Sequence, residues 1–168
     1  MTSRQANLIF NKLLLQTVDK ALSELAFMIP GEVGTEKLYS QNWDHLCKVD
    51  FSGPFSGELH VGITNSMLMP LAENMIGVEP GAELPEGVCE LDALKELLNV
   101  ICGNLLPEIE GQEAVFDISA PEVLQKEGAV KSQFSELGNA SVSLDEGKAC
   151  FVIFAELDKI TPMKKIGV

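Results

Sequence analysis

Asp92, Glu96, Asn99 and Gly103 recur at helical spacing, and their types are unusual for a solvated helix face. At about 100° per residue they project within a sector of about 60°, with Leu94, Leu97, Ile101 and Leu105 opposite them as a buried stripe. Exposed helix faces are normally filled by good helix formers such as Lys, Glu, Gln and Ala. Asn and Gly are poor ones, so their place beside a carboxylate needs another reason. The amide of Asn99 offers donors and an acceptor but neither charge nor titration, which suits it to hold a water molecule. Glu96, one turn earlier, is a fixed negative charge able to pair with a partner's Lys or Arg. No nucleophile–base pair accompanies them, since His45 and His60 lie on a separate hairpin pattern. Such a pair cannot easily break a stable bond in a small molecule. It can help hydrolyse an already labile acyl phosphate whose metal and electrophile come from another protein.

The elements that must position this stripe are legible from periodicity and punctuation. The stripe's own helix is expected from about Glu90 to Leu106, with Pro107 near its end. An earlier helix is expected from about Gln5 to Met28, stopped by Pro30 and Gly31. Leu46, Val49 and Phe51 lead into a turn at Ser52, Gly53 and Pro54, and Leu59, Val61 and Ile63 alternate beyond it as the second strand of a hairpin. Asn65 or Ser66 can cap a helix through Met75 that ends at Gly77. Ala114 to Ile118 is a strand candidate, and the strands Ala140–Leu144 and Ala149–Leu157 flank a turn at Asp145, Glu146 and Gly147. The stretch Gln125–Ser135 is ambiguous, and Met163–Val168 is a small basic tail. Helix followed by hairpin occurs twice, over about 5–77 and 90–157, which suggests two pseudo-repeated halves within one α+β domain spanning 1–168. In that fold a mostly antiparallel sheet is covered by helices.

Composition narrows the partners. The net charge is −13, and Glu73, Glu79, Glu83, Glu86, Glu90, Asp92, Glu96, Glu108, Glu110 and Glu113 surround the helix with only Lys95 against them. This field repels nucleic acid and anionic lipid and can steer in a partner with a basic contact surface. No apolar run approaches the roughly 20 residues needed to cross a bilayer, and the N-terminus lacks a secretory pattern, so a cytoplasmic protein is expected. Cys47, Cys89, Cys102 and Cys150 are dispersed with no CxxC pair, as expected of reduced, mostly buried thiols.

The stripe resembles the CheC/CheX/FliY family of chemotaxis phosphatases, especially its single-site CheX type. The family pattern is Asp or Ser, then Glu, then Asn three residues later, with a Pro downstream. Asp92, Glu96 and Asn99 match in register, Pro121 lies at or one residue short of the expected place, and Gly103, Asn104, the strand Gly57–Ile63 and the following helix also look like the family. The resemblance covers most of the chain. It implies a hydrolase that removes phosphate from the phospho-aspartate of a CheY-like response regulator in two-component signalling. Asn99 would orient the attacking water and Glu96 would pair with the regulator's active-site Lys. The regulator would keep its own Mg²⁺, and the chain would need no cofactor of its own. Gly103 would give clearance, and Leu106, projecting near the stripe, is read as an apolar contact beside Asp92 and Gly103 on the partner-facing surface. CheX-type members pair as homodimers, so a homodimer is expected by resemblance.

The first helix carries a damaged counterpart of the motif, with Lys20, Glu24 and Phe27 where Asp or Ser, Glu and Asn are needed. A phenyl ring cannot position water, so one stripe per chain is expected. Two other readings compete with catalysis. A non-catalytic module could bind a regulator or dimerise without turnover, although binding alone would tolerate Gln or Ser at position 99. A zinc site at His45, Cys47 and His60 lacks the usual ligand spacing, and hairpin register decides whether these residues converge.

Overall fold

The computed structural model describes residues 3–34, 36–39, 43–125 and 131–160. Three helices, α1 (Ser3–Leu25), α2 (Asn65–Ile76) and α3 (Glu90–Glu110), accompany seven strands. The strands are β1 (Glu32–Val33), β2 (His45–Ser52), β3 (Gly57–Ile63), β4 (Asp117–Ile118), β5 (Glu122–Leu124), β6 (Ser135–Leu144) and β7 (Gly147–Ala155). They form one antiparallel sheet in the order β1-β6-β7-β3-β2-β4, with β5 also paired to β2. The fold is therefore α+β, as expected.

The two hairpins, β2–β3 and β6–β7, meet through their closing strands, and the register sets Val61 opposite Phe151 at the middle of that seam. The helices cross over this seam. Helix α1 packs chiefly on β6, while α3 packs on β2 and β3 and lies against both α1 and α2. Helices α1 and α3 thus each cover the hairpin of the other half of the chain, and one core forms between helices and sheet. Leu14, Val18 and Leu22 of α1, Leu94, Leu97 and Ile101 of α3, and Val49, Val61, Phe151 and Ile153 of the sheet are all buried in it.

The opposite sheet face is closed by a chain segment instead of a helix. Leu38 and Trp43 cover Leu46, Cys150, Val152 and Phe154 there. Trp43 lies flat against Gly62, where a Cβ would come within 2.5 Å of its ring. The hairpin aromatics pack as Phe51, Phe55 and Phe116, with edge-on ring centroids 5.2–6.1 Å apart.

Several elements differ from expectation: α3 runs on to Glu110, β6 begins at Ser135 and β7 ends at Ala155, and for three others the reason is identifiable. Helix α1 ends at Leu25, well before Pro30, because Phe27 adopts the left-handed conformation (φ 52°) that glycine usually supplies and the Met28 amide closes back on the Leu22 carbonyl at 3.0 Å. The strand expected over Ala114–Ile118 contracts to Asp117–Ile118, since β2 offers it only Phe51 and Ser52 as partners. Strand β5, unanticipated, begins directly after Pro121, a position that needs no ladder amide. Part of the ambiguous Gln125–Ser135 stretch and the tail Met163–Val168 lie outside the described residues.

Candidate functional site

Helix α3 is long and well anchored, which makes it a rigid platform. Its N-terminus follows Cys89, whose backbone amide donates to the Asp92 carboxylate at 3.1 Å. Caps of this kind contribute about 1 kcal/mol, and a carboxylate in the first turn also complements the helix dipole. Asp92 lies 3.9 Å from the Lys95 ammonium as well, an exposed pair of little energetic weight. The role of this carboxylate is therefore local, since it fixes where the helix starts.

Glu96, Asn99 and Gly103 follow along the helix and are all exposed. Neither Glu96 nor Asn99 makes a hydrogen bond or ion pair with any described residue, so both functional groups are presented to solvent. Gly103 has open space around it, for a Cβ built there would meet nothing within 4 Å. Nothing in the chain's own packing requires glycine at this position.

Leu106 does not belong to this surface. It shares the ideal azimuth of Asn99 but is only 1% exposed and lies within the core. The reason is geometric. Neighbouring elements cross a helix obliquely, so a strip that is free at one end can be covered at the other. Toward the C-terminal half of α3 the exposed sector turns away from Leu106, to Asn104 and Glu108. Asn104 is a surface residue whose position the straight-stripe picture did not bring out.

Beyond the stripe, α1 and α3 enclose an open groove of about 330 Å³, to which Gly103, Asn104 and Glu108 contribute one wall and Gln16, Thr17 and Lys20 the other. Lys20 and Glu24, the damaged counterpart of the motif, are exposed on α1, whereas Phe27 has left the helix and stands 75% exposed in its left-handed bend. It is not part of a helical face at all. Pro121 sits in the connection between β4 and β5.

No reactive nucleophile is supplied by the buried thiols. Burial pushes the thiol of Cys102 up to about 12, that of Cys150 up to about 12 and that of Cys47 up to about 11. Such thiols stay protonated and inert at neutral pH. The candidate zinc ligands do not converge. His45 accompanies Cys47 on the helix-covered side of β2, while His60 pairs across from Lys48 on the other face. His45 instead contacts the Asn65 side chain at 2.8 Å. Among the described residues no group of three His, Cys, Asp or Glu side chains is placed to hold a metal.

His60 is fully buried, with Nε2 2.9 Å from Glu58 and Nδ1 lacking a partner among the described residues. Desolvation lowers its pKa from the ordinary 6.5, opposed in part by Glu58. An unfolded chain then takes up a proton more readily than the folded one, so stability from this residue is complete above pH 6.5 and declines as the pH falls below that value. Urea unfolding between about pH 8 and pH 5 should show this acid-side loss. In His60→Leu the slope attributable to this group should vanish; an unchanged slope would remove His60 as its source.

Fold and sequence together define the class of protein. The chain matches the family described as Chemotaxis phosphatase CheX over residues 45–154, and it belongs to that family. Similar solved structures include the chemotaxis protein CheX from Desulfovibrio desulfuricans, at 18% identity and a TM-score of 0.67 over 88% of this chain and 99% of that one. A CheC-like superfamily protein from Shewanella sp. PV-4 shares 25% identity with a TM-score of 0.64, covering 89% of this chain and 99% of its own. The CheX-CheY-BeF3-Mg²⁺ complex from Borrelia burgdorferi is similar at 17% identity and a TM-score of 0.65, over 86% and 96% of the two chains. No curated protein matches the chain by sequence. Among the described residues, no helix is long and apolar enough to cross a membrane.

Proposed function

We propose that the chain hydrolyses the aspartyl phosphate of a CheY-like response regulator by laying α3 across the regulator's active site. One observation carries this reading: Glu96 and Asn99 stand together on a rigid helix, exposed and without partners among the described residues of their own chain. Left unpaired, polar groups at such a spacing are free to act on a second molecule. Asn99 orients the attacking water in line with phosphorus, and Glu96 pairs with a cation of the regulator, its active-site Lys. Mg²⁺ is held by the regulator. Phosphoryl transfer is catalysed largely by positioning and electrostatics, so a water-orienting amide needs no covalent intermediate.

The experiment is to mix the protein with a panel of phosphorylated response regulators and follow loss of acyl phosphate. Acceleration for at least one regulator is expected. If every regulator keeps its phosphate at the spontaneous rate, the catalytic reading fails, and binding without turnover would identify an adaptor instead. Pairing of two copies, which the family resemblance implies, would be checked by a sedimentation mass of two chains.

Gly103 provides a sharper test, because stability and activity should move in opposite directions. A glycine inside a helix costs about 1 kcal/mol relative to Ala, and here the added methyl would meet open space. Gly103→Ala should therefore raise the stability to urea. A side chain one turn beyond Asn99 would also hold the helix off its partner, so phosphatase activity should fall, and more so for Gly103→Leu. A more stable variant with undiminished activity would end the clearance reading.

A further inference from the structure

We propose that the groove between α1 and α3 is the second part of the docking surface, and that Lys20 selects the partner by pairing with a carboxylate at the rim of its metal-and-phosphate site. This rests on the phosphatase reading above. Gly103 is at once the last member of the polar stripe and part of the groove's wall. Four helical residues from Asn99 advance only about 6 Å along the axis. A specific interface covers about 800 Å² on each partner, so a globular protein whose phosphate reaches Asn99 must also lie over the groove.

Leu13 and Pro107 give the groove an apolar part, and its polar groups include Gln16, Thr17 and Lys20 on one wall and Asn104 and Glu108 on the other. Of the residues that line the groove, Lys20 is the single cation, and it makes no ion pair with a described residue. The other cation nearby, Lys95, already has Asp92 at 3.9 Å. A protein that holds Mg²⁺ beside a phosphate must present carboxylates at that place. Beside the Lys–Glu96 contact, such an acidic mouth would be repelled by Glu108, the carboxylate on the opposite wall of the groove. An unclaimed ammonium at the edge of this field offsets the repulsion and favours partners with a carboxylate in reach of it.

The test compares steady-state kinetics of the parent, Lys20→Glu and Lys20→Arg on a phosphorylated regulator that the parent turns over. Lys12→Glu, an exposed α1 residue outside the groove, controls for net charge. Lys20→Glu should raise KM about tenfold with kcat preserved, and the increase should shrink as salt is added. Lys20→Arg should restore the parent KM. An unchanged KM for Lys20→Glu, an equal rise in Lys12→Glu, or a loss in kcat alone would overturn the proposal. If the parent turns over no regulator, calorimetric binding to regulators charged with BeF3 and Mg²⁺ separates the two claims. Parent binding weakened about tenfold by Lys20→Glu but not by Lys12→Glu upholds the groove while phosphatase activity falls. Equal binding by parent and Lys20→Glu, or no binding by the parent, overturns it.

Discussion

Asn99→Ala is expected to lower kcat for dephosphorylation by about 10²–10³, the scale of losing one preorganised polar group at a transition state. The same substitution should leave the fold intact. Asn99 is exposed and has no partner among the described residues, so its removal breaks nothing in the folded molecule. Ala is also the better helix former by a few tenths of a kcal/mol, so the variant should be at least as stable as the parent. This combination separates a water-positioning role from a structural one. A side chain that merely supported the helix would reduce activity through stability, and the two measurements would fall together. Single-turnover decay of the acyl phosphate with enzyme in excess isolates the chemical step from docking. If Asn99→Ala decays the phosphate as fast as the parent under these conditions, the amide does not hold the water.

Leu106→Ala should do the reverse. Leu106 is 1% exposed and sits in the core with Ile101, Cys102 and Leu105. Truncation of a buried Leu to Ala removes about 2–5 kcal/mol through lost transfer energy and the cavity left behind. For a chain of this size that lowers Tm by about 4–20 °C, a large share of the roughly 5–15 kcal/mol that holds a typical domain together. Activity per folded molecule, measured well below the transition, should be unchanged, because no atom of this side chain reaches a partner. A variant with parental Tm and a weakened affinity for the regulator would return Leu106 to the contact surface and contradict its burial.

The contrast between Asn99 and Leu106 shows where sequence reading stops. The periodicity of α3 and the polar stripe were legible, as were the hairpins, because alternation and turn residues are local. Leu106 was not, since helical azimuth predicts exposure only while the neighbours run parallel to the axis. The groove was invisible for a related reason: Gln16 and Lys20 meet Asn104 only through the packing of helices remote in sequence. Strand β5 gave no signal because three residues after Pro121 form a strand only when β2 lends them an edge. The alternation of Leu59, Val61 and Ile63 picks out the helix-covered face of β3, but it gave no sign that the other face is buried as well, closed by Leu38 and Trp43. The separation of His60 from His45 and Cys47 followed from hairpin register alone. The Glu–Asn pair itself was readable only with the Gly103–Asn104 sequel and the strand around it, for the spacing of two residues is too common to stand by itself.

The crossed arrangement of helices and hairpins bears on how the chain comes to be made. When the ribosome has delivered α1, the strand on which that helix will rest does not yet exist, for Ser135 lies 110 residues beyond Leu25. At about 5–20 residues per second, that is a wait of roughly 5–20 s. Throughout it, the apolar side of α1 has no sheet beneath it, and the first hairpin likewise waits for α3. Neither half can reach its native state as a nascent fragment. The fold can close only once β6 and β7 have been made, and a newly made chain would depend on whatever shields Leu14, Val18 and Leu22 until that hairpin arrives.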